Sequence, residues 1–112
     1  MAVLVRLLLW SLADAKTTLD ELRRALRDEI VDETTNVPGL RLKLWISDEA
    51  GERFGVLELW ESADLAVLPA NARERELLGK DPEVGEEFDL EASIEGRFFE
   101  EELSRRGMAL EE

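Results

Sequence analysis

The stretch from Val37 to Glu61 constrains the fold most, because it has the pattern of a β-hairpin. In its first half, aliphatic residues alternate with polar or aromatic ones. The aliphatic set is Leu40, Leu42, Leu44 and Ile46, and the other set is Arg41, Lys43, Trp45 and Ser47. After an acidic turn with Gly51, a second strand pattern ends at Trp60. Because successive side chains of a strand point to opposite faces, the sequence predicts a hairpin with one aliphatic face and one face of cations and tryptophan.

Strand and helix patterns alternate along the rest of the chain. An apolar run from Ala2 to Leu12 has the length of a strand, and a helix pattern follows it. After the hairpin, residues 62–79 have helical spacing that Pro69 interrupts, and residues 88–97 alternate with period two. This order predicts an α+β, ferredoxin-like βαββαβ fold, in which a four-stranded antiparallel sheet carries both helices on one face.

Local signals place these elements more closely. Thr17 and Thr18 each precede an acid by three residues, which is the spacing of a helix capping box. The first helix then carries an apolar stripe of Leu19, Leu22, Leu26 and Ile30, and Pro38-Gly39 ends the segment. In the second helix the residues expected to face the core are Leu65, Leu68, Ala72 and Leu77. The fourth strand is predicted from the alternation of Phe88, Leu90, Ala92 and Ile94 with acids.

The two faces of the predicted sheet differ in composition, and we expect the helices to cover the more aliphatic face. That face contains Val3, Val5, Leu7, Leu9, Leu40, Leu42, Leu44, Ile46, Gly55, Leu57, Leu59, Phe88, Leu90, Ala92 and Ile94. The opposite face holds all three tryptophans, Trp10, Trp45 and Trp60, with Arg6, Arg41, Lys43 and Glu58. Such an aromatic face needs cover, so we expect a homodimer whose sheets close into an α/β barrel around a partly polar space.

Length and residue types narrow the chemistry. At 112 residues the chain is predicted to form a single ferredoxin-like domain over 1–112, with 98–112 as a C-terminal extension. The chain has no cysteine and no histidine. This removes thiol nucleophiles, disulfides, imidazole bases, zinc sites of the Cys/His kind and histidine-ligated haem. We therefore expect neither a metal nor a cofactor.

The charge of the chain bears on its partners. A net charge of −13 disfavours nucleic acid and anionic membrane surfaces, because both would repel the protein. The apolar run that begins at Ala2 is too short to span a bilayer and contains Arg6. The expectation is a cytoplasmic protein that binds no nucleic acid and no membrane.

The hairpin also carries a pattern of specific residues. It reads Pro38-Gly39-Leu40, then Lys43 and Trp45, and after the turn Gly55 and Trp60-Glu61-Ser62. This pattern resembles the dimeric α/β-barrel superfamily of the antibiotic-biosynthesis-monooxygenase type, and within it the YdhR-type monooxygenases. The resemblance covers roughly Val3 to Phe98. It implies a homodimer of ferredoxin-like protomers with a ligand cavity. Some members oxidise polycyclic phenols with molecular oxygen and no cofactor. Others degrade haem, which the absence of histidine disfavours here.

Two functions follow as hypotheses. The first is a small-molecule monooxygenase-like enzyme that acts on an aromatic or quinone-like substrate without metal or haem. Its substrate-binding residues would be Trp10, Trp45, Trp60 and Arg6, and its catalytic candidates are Arg41, Lys43, Glu58 and Asn71. Arg41 or Lys43 would hold an anion, and Glu58 would take a proton. The alternative is a non-catalytic homodimeric module that binds a small molecule or serves structurally, since without His, Cys or Tyr few groups titrate near neutral pH.

Overall fold

The computed structural model describes residues 3–67, 71–97 and 104–111. The strands are β1 (Leu4–Ser11), β2 (Leu40–Asp48), β3 (Arg53–Trp60) and β4 (Val84–Asp89). Helix α1 consists of α-helical Leu19–Ala25, π-helical Leu26–Ile30 and α-helical Val31–Thr34, and helix α2 is Ala72–Leu78. All strand pairs are antiparallel, in the order β2-β3-β1-β4. The predicted ferredoxin-like α+β fold is confirmed.

Helix α1 begins where its sequence predicts. The Thr18 hydroxyl accepts a hydrogen bond from the Glu21 backbone N–H at 3.2 Å, so Thr18 is the N-cap. The predicted stripe is also correct, since Leu22, Leu26 and Ile30 are all buried. These side chains pack against the sheet in one cluster with Trp10, Phe54, Leu8, Val56 and Leu78. Both helices therefore cover the same face of the sheet.

The face that the helices cover is the opposite of the one predicted. The buried sheet side chains are those of Leu4, Leu8, Trp10, Lys43, Phe54, Val56, Glu58 and Trp60, which come from the aromatic and charged face. The aliphatic face is open, and Ile46 and Phe88 on it are 41% and 51% exposed. The rule that helices meet the more aliphatic face fails because the helices bring their own apolar side chains, which fill the space between the large rings. They also bring polar groups that pair with the buried charges of the sheet.

A β-bulge in β2 changes which residues share a face. Leu40 lies opposite Trp60 on β3, whereas Leu42 lies opposite Leu59, so Arg41 is the extra residue between two pairs. Leu40 therefore packs on the helix side with Leu4 and Trp60, and Leu42 points to the open face. The prediction that Leu40 and Leu42 share one face was wrong, because a bulge shifts the alternation by one residue.

The fourth strand lies earlier in the sequence than predicted. It spans Val84–Asp89, and the predicted 88–97 segment is not a strand beyond its first two residues. Register explains the difference. Leu4 at the start of β1 lies opposite Asp89, and the Leu90 N–H donates to the Val3 carbonyl at 3.0 Å, so pairing with β1 ends there. Ile94 is 94% exposed, which shows that period two alone does not make a strand.

The second helical region is shorter than the predicted 62–79. It contains a 3₁₀ turn at Leu65–Val67 and helix α2, and Leu68 and Pro69 lie outside the described residues. Asn71, Glu74 and Leu78 are buried, whereas Ala72, predicted to face the core, is exposed. The helix is therefore rotated relative to the prediction, which had placed Ala72 toward the core and had not placed Glu74 there.

The hairpin turn is held by Asp48. Its carboxylate accepts hydrogen bonds from the Gly51 N–H at 3.0 Å and from the Arg53 guanidinium at 2.7 Å. The Arg53 side chain, with the Gly51 N–H, lowers the pKa of this exposed carboxyl below its ordinary value of 3.8. The turn therefore keeps its charged, hydrogen-bonded form throughout the neutral range.

The helices in the part of the chain that the structure describes are too short or too polar for a membrane span.

Gly39 is expected to be intolerant of a side chain. Its φ is +83°, and a Cβ built there would lie 2.5 Å from Leu65 Cδ1, while its carbonyl accepts the Glu61 N–H at 2.8 Å. Gly39→Ala should lower the free energy of unfolding by at least about 1–2 kcal/mol, the cost of a left-handed backbone. Gly96→Ala is the control, since a Cβ there meets nothing within 4 Å. Equal urea midpoints for the two variants would contradict this prediction.

Candidate functional site

Four buried polar side chains meet between the sheet and helix α2. The Lys43 ammonium lies 2.6 Å from Glu74 Oε2, donates to Asn71 Oδ1 at 3.1 Å and lies 3.3 Å from Glu58 Oε2. All four residues are at most 9% exposed. Such a cluster is stable only when its charges compensate one another, because burying an unpaired charge is costly. We call Lys43, Glu58, Asn71 and Glu74 the buried charge cluster.

The positions of these residues follow from strand register and helix spacing. Lys43 on β2 lies directly opposite Glu58 on β3, and both side chains point to the helices. Asn71 and Glu74 are three residues apart at the start of α2, so they lie on one side of its first turn. The sheet therefore supplies one ammonium and one carboxylate, and the helix supplies an amide and the second carboxylate.

Glu58 connects the cluster to a surface ion pair. Its Oε1 accepts a hydrogen bond from the Trp60 indole N–H at 3.1 Å and lies 3.8 Å from the Arg6 guanidinium. Arg6 in turn binds Glu87 at 2.8 Å. Glu58 Oε2 accepts no hydrogen bond, so its 3.3 Å approach to Lys43 is an ion pair without hydrogen-bond geometry. A line of alternating charges thus runs from the surface to the interior.

A groove of about 330 Å³ lies at the free edge of the sheet, beside the cluster. Its floor is formed by residues Leu40 to Trp45 of β2. One side is formed by Leu26, Val31 and Thr34 of α1, together with Thr35, which directly follows the helix. The other side is the C-terminal segment 104–110. This volume is near the lower limit of ligand pockets, about 300–1,000 Å³, and suits one small molecule.

Trp45 joins the groove to the cluster. Its ring lines the groove, and the Lys43 ammonium lies 5.2 Å from the ring centroid, within cation–π range. The Trp45 indole Nε1 is buried and has no hydrogen-bond acceptor. Buried N–H donors are nearly always paired, so an unpaired one beside a groove is an unusual feature.

The structure brings together most of the predicted catalytic candidates. Glu58 and Asn71 both contact Lys43, and Arg6 reaches the cluster through Glu58. Arg41 lies apart, because the bulge directs it to the groove rim, where its guanidinium is 4.0 Å from Glu61. Glu58 is completely buried and is not among the residues that line the groove.

The predicted substrate-binding tryptophans divide into one groove residue and two core residues. Only Trp45 lines the groove. The Trp10 indole N–H donates to the Lys80 carbonyl at 3.0 Å, and its ring packs against Phe54 with centroids 6.3 Å apart. Trp60 packs with Leu4 and donates to Glu58. Both N–H groups are satisfied within the protein, which is typical of structural tryptophans.

Sequence reasoning missed Glu74 and the groove residues of the C-terminal segment. A signal for Glu74 exists in the spacing of Asn71, Glu74 and Leu78, which places all three on one helix face. A helix face that carries two polar residues is stable in the interior only when a cation on the facing strand pairs with them. That cation, Lys43, is 31 positions away in the sequence.

Because the chain has no histidine and no cysteine, a metal site would need several acidic side chains close together. Among the residues that the structure describes, no three acidic side chains lie close enough together to hold a metal ion.

Solved structures share this architecture. A monooxygenase from the gene ActVA-Orf6 of Streptomyces coelicolor, in complex with Nanaomycin D, superposes with a TM-score of 0.61 at 16% identity, covering 85% of this chain and 93% of that one. Protein YJCS has a TM-score of 0.61 at 12% identity, covering 80% and 99%. SnoaB from Streptomyces nogalater, a cofactor-independent oxygenase, has a TM-score of 0.53 at 9% identity, covering 88% and 100%. The chain shares the fold of these three proteins.

The likeness is one of structure. No protein-family model and no curated protein sequence matches the chain. The fold relationship agrees with the barrel resemblance of the hairpin, and the narrower likeness to the YdhR-type proteins stays a prediction.

Proposed function

We propose that the protein is a small homodimeric oxygenase that oxidises an aromatic or quinone-like molecule with dioxygen, using no metal and no haem. The observation that carries this proposal is Trp45, whose ring lines a groove of ligand size and whose buried indole N–H has no acceptor. The shared fold with two oxygenases supports the reaction class. We place the substrate ring in the groove against Trp45. The indole nitrogen is buried in this structure, so the Trp45 ring must turn toward the groove for its N–H to donate to an oxygen of the substrate.

The chemistry uses the substrate as its own reductant, and anthrone illustrates the balance. Its central CH₂ carbon loses a proton, and the resulting anion adds to dioxygen, so that a C–O bond forms. The O–O bond then breaks as the second C–H proton leaves. One oxygen atom becomes a carbonyl and the other leaves as water with both protons. Anthrone and O₂ thus give anthraquinone and water, and the carbon loses the four electrons that dioxygen gains.

The protein's part in this reaction is to hold the ring and stabilise the anion. A positioned N–H donor stabilises developing negative charge on oxygen, and a site that excludes water strengthens the effect. The Trp45 N–H is that donor. Arg41 at the groove rim adds positive charge. The Lys43 ammonium contacts the Trp45 ring and holds it beside the groove. Glu58 positions Lys43, because its carboxylate is buried against the ammonium and does not line the groove.

Trp45→Phe separates the N–H from the ring. It keeps an aromatic wall but removes the donor, and loss of one oxyanion donor lowers turnover by roughly a hundredfold in well-studied enzymes. We expect at least a tenfold drop in oxygen uptake with anthrone, with stability changed by less than about 1 kcal/mol, since an unsatisfied donor is removed. With ¹⁸O₂, one labelled atom should enter the anthraquinone. Uptake by the wild-type protein no faster than in buffer would refute the proposal.

A non-catalytic binding module is the second candidate, and a specific observation favours it. The Lys43 ammonium is enclosed by Asn71, Glu58 and Glu74, and its side chain is only 1% exposed, so a structural role suffices for the cluster. Such a module would bind anthrone and quinones saturably in the groove without consuming oxygen. Parallel calorimetry and oxygen-electrode measurements on the same ligands distinguish the two.

The homodimer of this proposal rests on the open sheet face. That face is aliphatic through its centre, where Leu57 lies between Leu7 and Leu44 in register. Antiparallel sheets that face water normally carry polar residues on the solvent side. A four-stranded sheet of this length presents roughly 500 Å² of flat surface, the size of patches that mark interfaces. A second copy offers the same aliphatic surface and needs no other partner, so the two sheets pack face to face.

A further inference from the structure

The groove is basic although the chain is acidic. Asp and Glu make up 27 of the 112 residues, yet none of the described residues that line the groove is acidic. Four are basic, namely Arg41, Lys43, Arg105 and Arg106. The Lys43 charge is compensated by Glu58 and Glu74 inside the protein. The positive character of the groove therefore comes from its arginines.

Among the described residues, Arg41 and Arg105 of the groove pair with exposed acids. The Arg41 guanidinium is 4.0 Å from Glu61, and both side chains are more than half exposed. Arg105 binds Asp32 at 2.6 Å and the Thr35 hydroxyl at 3.1 Å, and the Asp32 side chain is 70% exposed. Exposed ion pairs contribute little stability, so a ligand anion can take the place of these acids at small cost.

Part of the groove lining is apolar. Leu26, Leu40 and Trp45 contribute to it, and Leu110 does so from the C-terminal segment. A ligand that matches both parts has a flat apolar ring and an anionic group at one end. A guanidinium binds a carboxylate through two parallel hydrogen bonds, which an uncharged group of the same shape cannot reproduce in strength.

We infer that the groove binds an aromatic carboxylate, with its ring against Trp45 and its carboxylate between Arg41 and Arg105. The inference rests on the proposed function only in taking the groove as the substrate site, and it names the substrate class of that site. The volume of about 330 Å³ accommodates a ring system of two or three fused rings.

Calorimetric titration of the full chain with 2-naphthoate and with 2-naphthamide tests the inference. The two probes have nearly the same shape and differ in charge. We expect 2-naphthoate to bind at least about tenfold more tightly, as expected for a hydrogen bond to a charged group. Added salt should weaken 2-naphthoate binding and leave 2-naphthamide unchanged, because the rim is exposed to solvent.

Arginine-to-glutamine variants, each of which removes one positive charge, test whether the groove rim causes the preference for 2-naphthoate. Arg41→Gln and Arg105→Gln should each weaken 2-naphthoate roughly threefold or more and leave 2-naphthamide within twofold. Arg27→Gln is the control, because Arg27 is an exposed arginine of α1 that does not line the groove. Arg105 also holds the C-terminal segment through Asp32, so Arg105→Lys, which keeps the charge, should retain most of the affinity. If the Arg105 variants misfold, Arg41→Gln alone tests the inference. This substitution removes only an exposed ion pair whose charged atoms are 4.0 Å apart.

Three results would overturn the inference: equal affinity for the two probes, no saturable binding of either, or the same loss from Arg27→Gln as from Arg41→Gln. Each of them is separable from the fate of the proposed function. Carboxylate-selective binding without oxygen uptake would leave the inference standing and refute the oxygenase. Oxidation of uncharged anthrone without carboxylate selectivity would refute the inference and leave the oxygenase proposal standing.

Discussion

Replacing Lys43 with methionine is expected to destabilise the protein by about 3–5 kcal/mol, the cost of breaking a buried ion pair by removing one partner. The substitution removes the cation that lies 3.3 Å from Glu58 and 2.6 Å from Glu74, and so leaves two buried carboxylates uncompensated. Urea denaturation followed by circular dichroism measures the change, and an unaltered slope of unfolding free energy against urea would show that only stability has changed.

The cluster also predicts a rescue. In the triple variant Lys43→Met, Glu58→Gln, Glu74→Gln the unpaired charges are gone, and the amide that replaces the Glu58 carboxylate retains an oxygen for the Trp60 N–H. At least half of the lost stability should therefore return. Lys80→Met is the matched control, since Lys80 forms an exposed pair with Glu83 and its loss should cost at most about 1 kcal/mol. A Lys43→Met variant no less stable than the Lys80 variant would show that the cluster is not buried in solution.

Leu57→Lys is expected to convert the proposed homodimer to a monomer. Leu57 is at the centre of the open aliphatic face, and two-fold symmetry would place the new charge on both sides of the interface. We expect the dissociation constant to rise roughly a hundredfold or more. Light scattering should show a fall from twice the 12.7 kDa chain mass, about 25 kDa, to a single chain.

The control for this variant is Ala13→Lys, which adds the same charge at an exposed position away from the sheet face. Both variants should keep the circular dichroism spectrum of the wild type, because the helices pack on the other side of the sheet. A wild-type protein that remains at 12.7 kDa at micromolar concentration would contradict the dimer itself.

The fold was predictable because its signals are local. The hairpin, the Thr18 cap and the stripe at Leu22, Leu26 and Ile30 each depend on a few neighbouring residues, and each is confirmed. The alternation within the hairpin holds from Leu42 onward, after the bulge. The covered face of the sheet was not predictable in this way. Composition shows that the faces differ, but which one meets the helices depends on what the helices bring. Here they bring Glu74 and Asn71, and the aliphatic face is left for another surface.

Part of the candidate site was also predictable, because some of its signals are local in the sequence. Lys43, Glu58 and Trp45 were identified because period-two alternation places them on the aromatic and charged face of the hairpin. Glu74 was missed because its partner is distant in sequence, and the groove because its second side is the C-terminal segment. The fourth strand was predicted only at its last two residues, because residues 84–87 show no apolar alternation and the strand is exposed along its whole length.

The bulge at Arg41 makes β2 unusually tolerant of one change in length. Loss of a single residue from a regular strand turns every following side chain to the other face. Loss of Arg41 instead restores the regular pairing, with Leu40 still opposite Trp60 and Leu42 still opposite Leu59. Lys43 and Trp45 then keep their places. A one-residue deletion at this position would therefore remove a cation from the groove rim and leave the core intact, which gives this fold a simple way to change the charge of the groove.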